Sequence, residues 1–236
     1  MKQLLKVSTA DFKLIFRDPS LRIFLFLPAL IFLVINIFLP YLISKFEGVN
    51  EYVSYVLIVA TIENTQMFGF IYSMVLIEEK ETEVARVYGV LPVSKMWFVL
   101  FRLIIPCLIT ALLTWAILLI QPFYSLAIMP SLVFSILSGL IVPVYVLGIT
   151  VLSRNKMQGM IWIKIFNIAV VLPIVAFFVP DSFTHVFGIL PSHWAFQGLS
   201  DIIDGGSFFV NAIIGFAYFL ILLTVAVRKF SKIHFV

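Results

Sequence analysis

Charge is scarce in this sequence. Asp, Glu, Lys and Arg make up 12% of 236 residues, about half the share an ordinary soluble domain carries, so the chain cannot cover itself with a water-solvated surface. Cysteine is scarcer: Cys107 stands alone, which excludes an internal disulfide and any CxxC metal or redox site. Lying inside an apolar run, it reads as a small packing residue. The phosphate-cradling GxxxxGK(S/T), a GxGxxG after a strand, HExxH and GxSxG are all missing. No residue is expected to be catalytic or to ligate a metal; His185 and His193 are two lone imidazoles without a spaced third ligand.

What the chain has instead is 62% hydrophobic residues. At about 20 apolar residues per crossing, the length accommodates about six membrane spans and short connections, and no soluble nucleotide-binding domain. The hydropathy pattern predicts spans over Leu21–Ile43, Val53–Ile77, Met96–Ile120, Pro130–Leu152, Met160–Val179 and Phe208–Val227. Asp18-Pro19 and Gly205-Gly206-Ser207 are start signals, and Pro28, Pro106, Pro143 and Pro173 predict kinks. The expected fold class is an all-α integral membrane protein forming a single domain over 1–236, with six transmembrane helices.

Orientation follows from the basic residues. Of sixteen Lys and Arg residues, only Lys45 falls on one side of this six-span arrangement; the others flank or lie just inside the spans on the opposite side. By the positive-inside rule that side, with both termini, is cytoplasmic. The net charge of +4 thus serves orientation, and nucleic acid is not an expected partner. The first apolar stretch has no AxA-type cleavage site and is expected to be retained. Within residues 1–20, Lys2, Lys6, Lys13 and Arg17 share one helical face while apolar residues cover the rest, which predicts an amphipathic helix in the membrane interface.

The connection over 78–95 runs Glu78-Glu79-Lys80-Glu81-Thr82-Glu83-Val84-Ala85-Arg86-Val87-Tyr88-Gly89-Val90-Leu91-Pro92-Val93-Ser94-Lys95. Its charge spacing predicts that the second helix continues into water until Gly89, with Glu79 and Glu83 on one face. Val90–Val93 is then an apolar knuckle that either dips into the headgroups or is covered by a partner. Inside the spans, Glu63 is the outlier, since an ionisable group there needs a cavity or a partner. Glu63, with Asn64 and Gln66, either lines a pathway or seam, or packs as a bonded structural carboxyl. Arg102 and Lys164, near span ends, are expected to snorkel. Ser131, Ser135 and Gly139 predict a close helix contact. Residues 180–206 are too apolar for a free loop and too broken for a span, so short re-entrant or interfacial helices are expected on the external side.

The Glu-rich segment from Glu79 through Arg86 and Gly89 to Leu91-Pro92-Val93-Ser94 resembles the coupling segment of ABC-2-type permeases, often written E-(R/K)-x-x-G-T-L-x-x-L-x-x-(S/T)-P-x-(S/P). Glu83-Val84 stands where that family often has Gly-Thr or Thr-Leu, and Leu91 precedes the proline where Ser or Thr is common. The likeness extends over the whole chain and, on overall character, is nearest to the drug-export, fluoroquinolone-permease-like branch. It implies a permease subunit of an ATP-binding cassette exporter in the plasma membrane. Its partners would be cytosolic ATPase subunits binding ATP and Mg, a second copy or paralogue, and a small amphiphilic substrate. It assigns ATPase coupling to Glu79, Glu83, Arg86, Leu91, Pro92 and Ser94, and the translocation pathway to Glu63, Asn64 and Gln66. Two other readings stay open: a proton-coupled carrier using Glu63, and a non-transporting membrane module that recruits a cytosolic protein.

Overall fold

The computed structural model describes residues 12–89 and 94–233. Among them every regular element is helical. The main helices are α1 (Ile23–Lys45), α2 (Val53–Glu81), α3 (Val84–Gly89), α4 (Lys95–Ile120), α5 (Ile128–Leu152), α6 (Lys156–Phe178), α7 (His193–Ile203) and α8 (Phe209–Ile233). Residues 12–17 are helical and belong to the expected amphipathic segment, whose first eleven residues lie outside the described ones.

Five helices, α1, α4, α5, α6 and α8, are long and apolar enough to cross a membrane. The sixth expected span, α2, is 29 residues long, about 44 Å at 1.5 Å per residue. It falls outside that set because Glu63, Asn64, Thr65 and Gln66 interrupt its apolar sequence. Polarity tracks position here: α2 packs against α4, α5 and α6, and most of its side chains are buried.

α5 is the centre of the bundle, contacted by α2, α4, α6, α7 and α8. Two thirds of its most apolar stretch is buried (67%), against 11% for α1, which lies on the flank. The expected stripe on α5 is a close contact: Ser131 and Ser135 are fully buried, each hydroxyl turned back onto the carbonyl four residues earlier. A methyl group on Gly139 would sit 2.6 Å from the Cys107 carbonyl of α4. Only the missing side chain lets the two backbones approach so closely.

α1 is irregular for a definable reason. Pro28 follows a 3-10 stretch (Ile23–Phe26), and Pro40 follows a π turn (Val34–Phe38). Each proline removes a helical N–H, and the altered turns upstream absorb the missing bond. Residues 180–206 fold as short helices, as the sequence implies: Asp181–Thr184, His185–Ile189 and α7. The segment is tied down. Trp194 Nε1 donates to Gly188 O at 3.1 Å, the Ser192 hydroxyl donates to Val170 O, Tyr218 donates to Ile189 O, and Asn211 donates to Asp201 at 2.6 Å.

The Gly139 contact yields a test. Gly139→Leu should lower the melting temperature of the purified protein by several degrees, since overpacking costs about 1–3 kcal/mol. Gly48→Leu, at a position with nothing within 4 Å, should leave it unchanged.

Candidate functional site

Three consecutive residues fasten the Lys/Arg-rich end of α2 to three other parts of the bundle. Glu79 turns inward and is 7% exposed. Its carboxylate accepts both terminal nitrogens of the Arg102 guanidinium from α4, at 2.7 and 2.5 Å. This is the bidentate geometry in which a guanidinium holds a carboxylate most firmly. Lys80 Nζ donates to Ser153 O at 2.7 Å and Thr150 O at 3.3 Å, placing a cation on the terminal carbonyls of α5. Glu78 meets Lys156 of α6 at 3.3 Å, a half-exposed pair that contributes little.

The next element is joined to the same knot. The Arg102 guanidinium lies 5.5 Å from the ring centre of Tyr88 on α3 and 5.4 Å from that of Phe98 on α4, and these two rings are themselves 5.2 Å apart. Carboxylate on one side and aromatic faces on the other stabilise a cation that would otherwise be costly to bury. The same end holds a cavity of about 400 Å³, walled by Arg17 and Asp18 of the N-terminal segment, Glu78, Glu79 and Thr82 of the α2 end, and Tyr88 of α3.

Midway along α2, Glu63 and Gln66 line a second cavity of about 260 Å³ together with Lys164 and Asn167 of α6. Gln66 Nε2 donates to Asn167 O at 3.0 Å, and the Tyr145 hydroxyl of α5 donates to Asn167 Oδ1, so three helices share one polar knot. A cavity of about 800 Å³ is an apolar groove lined mainly by α1 and α4. On the far side of the bundle, His193 is 3% exposed and packs edge-on against Trp194, with ring centres 5.1 Å apart. Burial, and secondarily His185, hold its imidazole below the ordinary histidine range. No cluster of three metal-ligating side chains occurs among the described residues.

Several expectations change. The helix over 78–89 is two helices: α2 ends at Glu81, and Thr82-Glu83 turns the chain into α3 with Glu83 at φ 60°. Glu79 and Glu83 therefore do not share a solvent face. Arg102 does not snorkel; it is 3% exposed and serves as the partner of Glu79. Asn64 is not brought to the cavity that Glu63 and Gln66 share. It is fully buried toward α4, where Nδ2 lies 3.5 Å from the Thr114 hydroxyl, which itself donates to Thr61 O. Ser94 is exposed at the start of α4. Leu91, Pro92 and the whole knuckle Val90–Val93 lie outside the described residues, as does the Arg86 side chain. Tyr88, Tyr145 and Asn167 are functional candidates that sequence reading passed over. The spacing Lys164-x-x-Asn167, one turn of a helix, was the available signal.

The family model described as "Fluoroquinolones export permease protein Rv2686c-like" matches residues 11–227. Among curated proteins, the fluoroquinolones export permease proteins of Mycobacterium tuberculosis strains CDC 1551 / Oshkosh and ATCC 25618 / H37Rv are each 28% identical over 111 residues. That stretch covers 44% of this chain and 44% of each relative, so less than half of the relatives' length is matched. No solved structure matches. With its apolar helices, the chain is a multi-pass membrane protein.

Two tests address the α2 end. Removing one member of a buried ion pair costs about 3–5 kcal/mol because the other is stranded. Glu79→Gln and Arg102→Met should each lower the melting temperature strongly, and the double variant should lose clearly less than the two losses added. Glu83 holds a left-handed backbone, φ 60°, a conformation that glycine adopts without steric cost. Glu83→Gly should therefore keep or slightly raise the melting temperature, whereas Glu83→Val should lower it by about 1–2 kcal/mol equivalent.

Proposed function

The chain belongs to the Rv2686c-like fluoroquinolone export permease family, and on that footing we propose that it is the membrane subunit of an ATP-binding cassette exporter. In this reading α2 is the sixth crossing, the Lys/Arg-rich end and both termini are cytoplasmic, and the chain is one domain spanning 1–236. The short helices before α8 cap the outer mouth in the plane of the membrane. ATP and Mg are bound by separate cytosolic ATPase subunits, in keeping with the absence of a phosphate cradle from the sequence. A second copy or a paralogue completes the pathway against the sparsely covered flank of α1, and the substrate is a small amphiphile of the kind for which the curated relatives are named.

One observation carries the coupling proposal: Tyr88 of α3 is stacked on the guanidinium that grips Glu79 of α2. A force applied to α3 or to the knuckle reaches the ends of α2 and α4 through the half-buried Tyr88 ring and the buried ion pair behind it. The N-terminal segment borders the cavity beside them, so an ATPase seated there would touch both elements. Glu83, Arg86, Leu91, Pro92 and Ser94 then form the docking surface, while Glu79 acts one step behind it as the anchor. Closure of the ATPases tilts α2 and α4 and opens the route lined by Glu63 and Gln66.

A second reading draws on Glu63, a carboxyl on a mid-helix cavity, as the carrier of a coupled proton. Flux in vesicles separates the two. For the exporter, transport requires a co-purifying ATPase and ATP, Leu91→Asp abolishes ATPase association, and Tyr88→Ala reduces ATP-driven flux at least about tenfold while leaving the ATPase bound. Flux that follows an imposed pH gradient without ATP and disappears in Glu63→Gln would establish the carrier instead.

A further inference from the structure

His193 is a buried titratable side chain to which the proposed function gives no task. It is 3% exposed, and its Nδ1 is sealed from solvent with no hydrogen-bond partner. A neutral imidazole tolerates this, because one of its two nitrogens carries no proton and loses only an acceptor's bond. An imidazolium does not, since both nitrogens then carry N–H groups and a buried cation needs an acceptor or a counter-charge. Among the described residues, the surroundings of Nδ1 supply neither. His193 is the first residue of α7, where the partial positive charge of a helix start opposes a further cation. Of the elements packed against α7, α5 carries no Asp, Glu, Lys, Arg or His, Glu63 lies ten residues into α2, and Arg228 lies nineteen residues into α8. Lys164 of α6 precedes by six residues the Val170 carbonyl that Ser192 holds. The tyrosines of these helices stay neutral through the range in which histidine titrates. On α7 itself, Asp201 is bonded to Asn211 and Asp204 to Ser200. The charge that does reach the ring is that of His185, which has the same sign once protonated.

The position of the ring decides what a proton releases. Ser192, on one side of it, donates to Val170 O of α6; Trp194, on the other, packs edge-on against it and donates to Gly188 O. A methyl group on Gly188 would sit 3.1 Å from the Trp194 ring and 3.8 Å from that of His193, so the helix His185–Ile189 is pressed onto both. Tyr218 of α8 holds that helix at Ile189 O. The ties from 185–194 to α6 and α8 therefore converge on the slot that His193 fills. We infer that residues 185–194 form an acid-released latch: a proton taken up by His193 drives the ring out of its slot and frees the short helices from α6 and α8. The neutral ring closes the latch. Closure is complete above the ordinary histidine value of about 6.5 and weakens as the pH falls below it, because the open form binds the proton and the closed form resists it. The latch stands on the geometry of this joint alone; in the reading above, where the segment caps the outer mouth, it makes that cap answer to acid on its own side of the membrane.

The test is hydrogen exchange on the full chain in nanodiscs between about pH 8 and pH 5, each rate divided by the intrinsic rate at that pH. Peptides covering 185–196 should keep constant protection down to about pH 7 and lose at least about fivefold by about pH 5, while peptides covering 137–147 of α5 should not change. His193→Gln and His193→Phe should both be flat across the range within about twofold, and His185→Gln should keep the decline. A flat wild type, a decline that survives in either His193 variant, or a decline abolished in His185→Gln would overturn the latch. If both His193 variants lack protection at every pH, the ring signals of carbon-13-histidine-labelled wild type decide, the chain having three histidines. One imidazole titrating together with the loss of protection sustains the latch; all three titrating apart from it sinks it. Flux plays no part in these readouts, so a failed latch leaves the exporter reading intact, and a failed exporter leaves the latch intact.

Discussion

The Glu79–Arg102 pair is the constraint on which the Lys/Arg-rich end of the bundle depends. Removing a guanidinium and a carboxylate from water is expensive, and a low-dielectric site offsets that cost only when the geometry is good and the remaining faces are covered. Here the geometry is bidentate, and Tyr88 and Phe98 cover the exposed face of the cation. Because Glu79 belongs to α2, Arg102 and Phe98 to α4, and Tyr88 to α3, one satisfied charge pair fixes three helices relative to one another. Glu78 and Lys80, the residues on either side, attach the same turn of α2 to α6 and to the end of α5. An apolar contact at this end could slide; a buried charge pair has one acceptable arrangement and a steep penalty for leaving it.

The helix boundaries were legible in the sequence because hydrophobic length dictates them: each of the six expected segments is helical with limits within six residues of those expected, and five of them are long and apolar enough to cross a membrane. Ser131, Ser135 and Gly139 were legible as well, since small residues at a spacing of four have few uses besides close packing. What one-dimensional pattern could not give was the direction of a side chain at a helix end. Glu79 followed by Glu83 suggested a continuous charged face, but the turn at Glu83 breaks that face, and Glu79, still within α2, faces inward to Arg102. Arg102 then had to follow, because a residue one helix away was its partner. Sequence patterns show neighbours at three or four positions; a pair separated by 23 residues in a hairpin of two helices is invisible to them.

The middle of the bundle shows the same division. Glu63 stood out as a cost in any apolar helix, and its cavity is present. Asn64, adjacent in sequence, is rotated about 100° around the helix axis and faces α4 instead. Lys164 of α6 borders the same cavity while its side chain stays exposed. Polarity in α2 thus has two separate causes: on one side it braces the contact with α4, and on the other it lines a cavity open to α6.

Hydrogen exchange on the lipid-embedded chain tests the central claim, that α3 and the ends of α2 and α4 move as one unit. Tyr88→Ala removes the ring from the Arg102 guanidinium without touching the ion pair itself. The account predicts faster exchange not only in peptides covering 84–89 but also in those covering 76–82 of α2 and 96–104 of α4, by similar factors. Faster exchange confined to 84–89, with the other two segments as protected as in wild type, would contradict it.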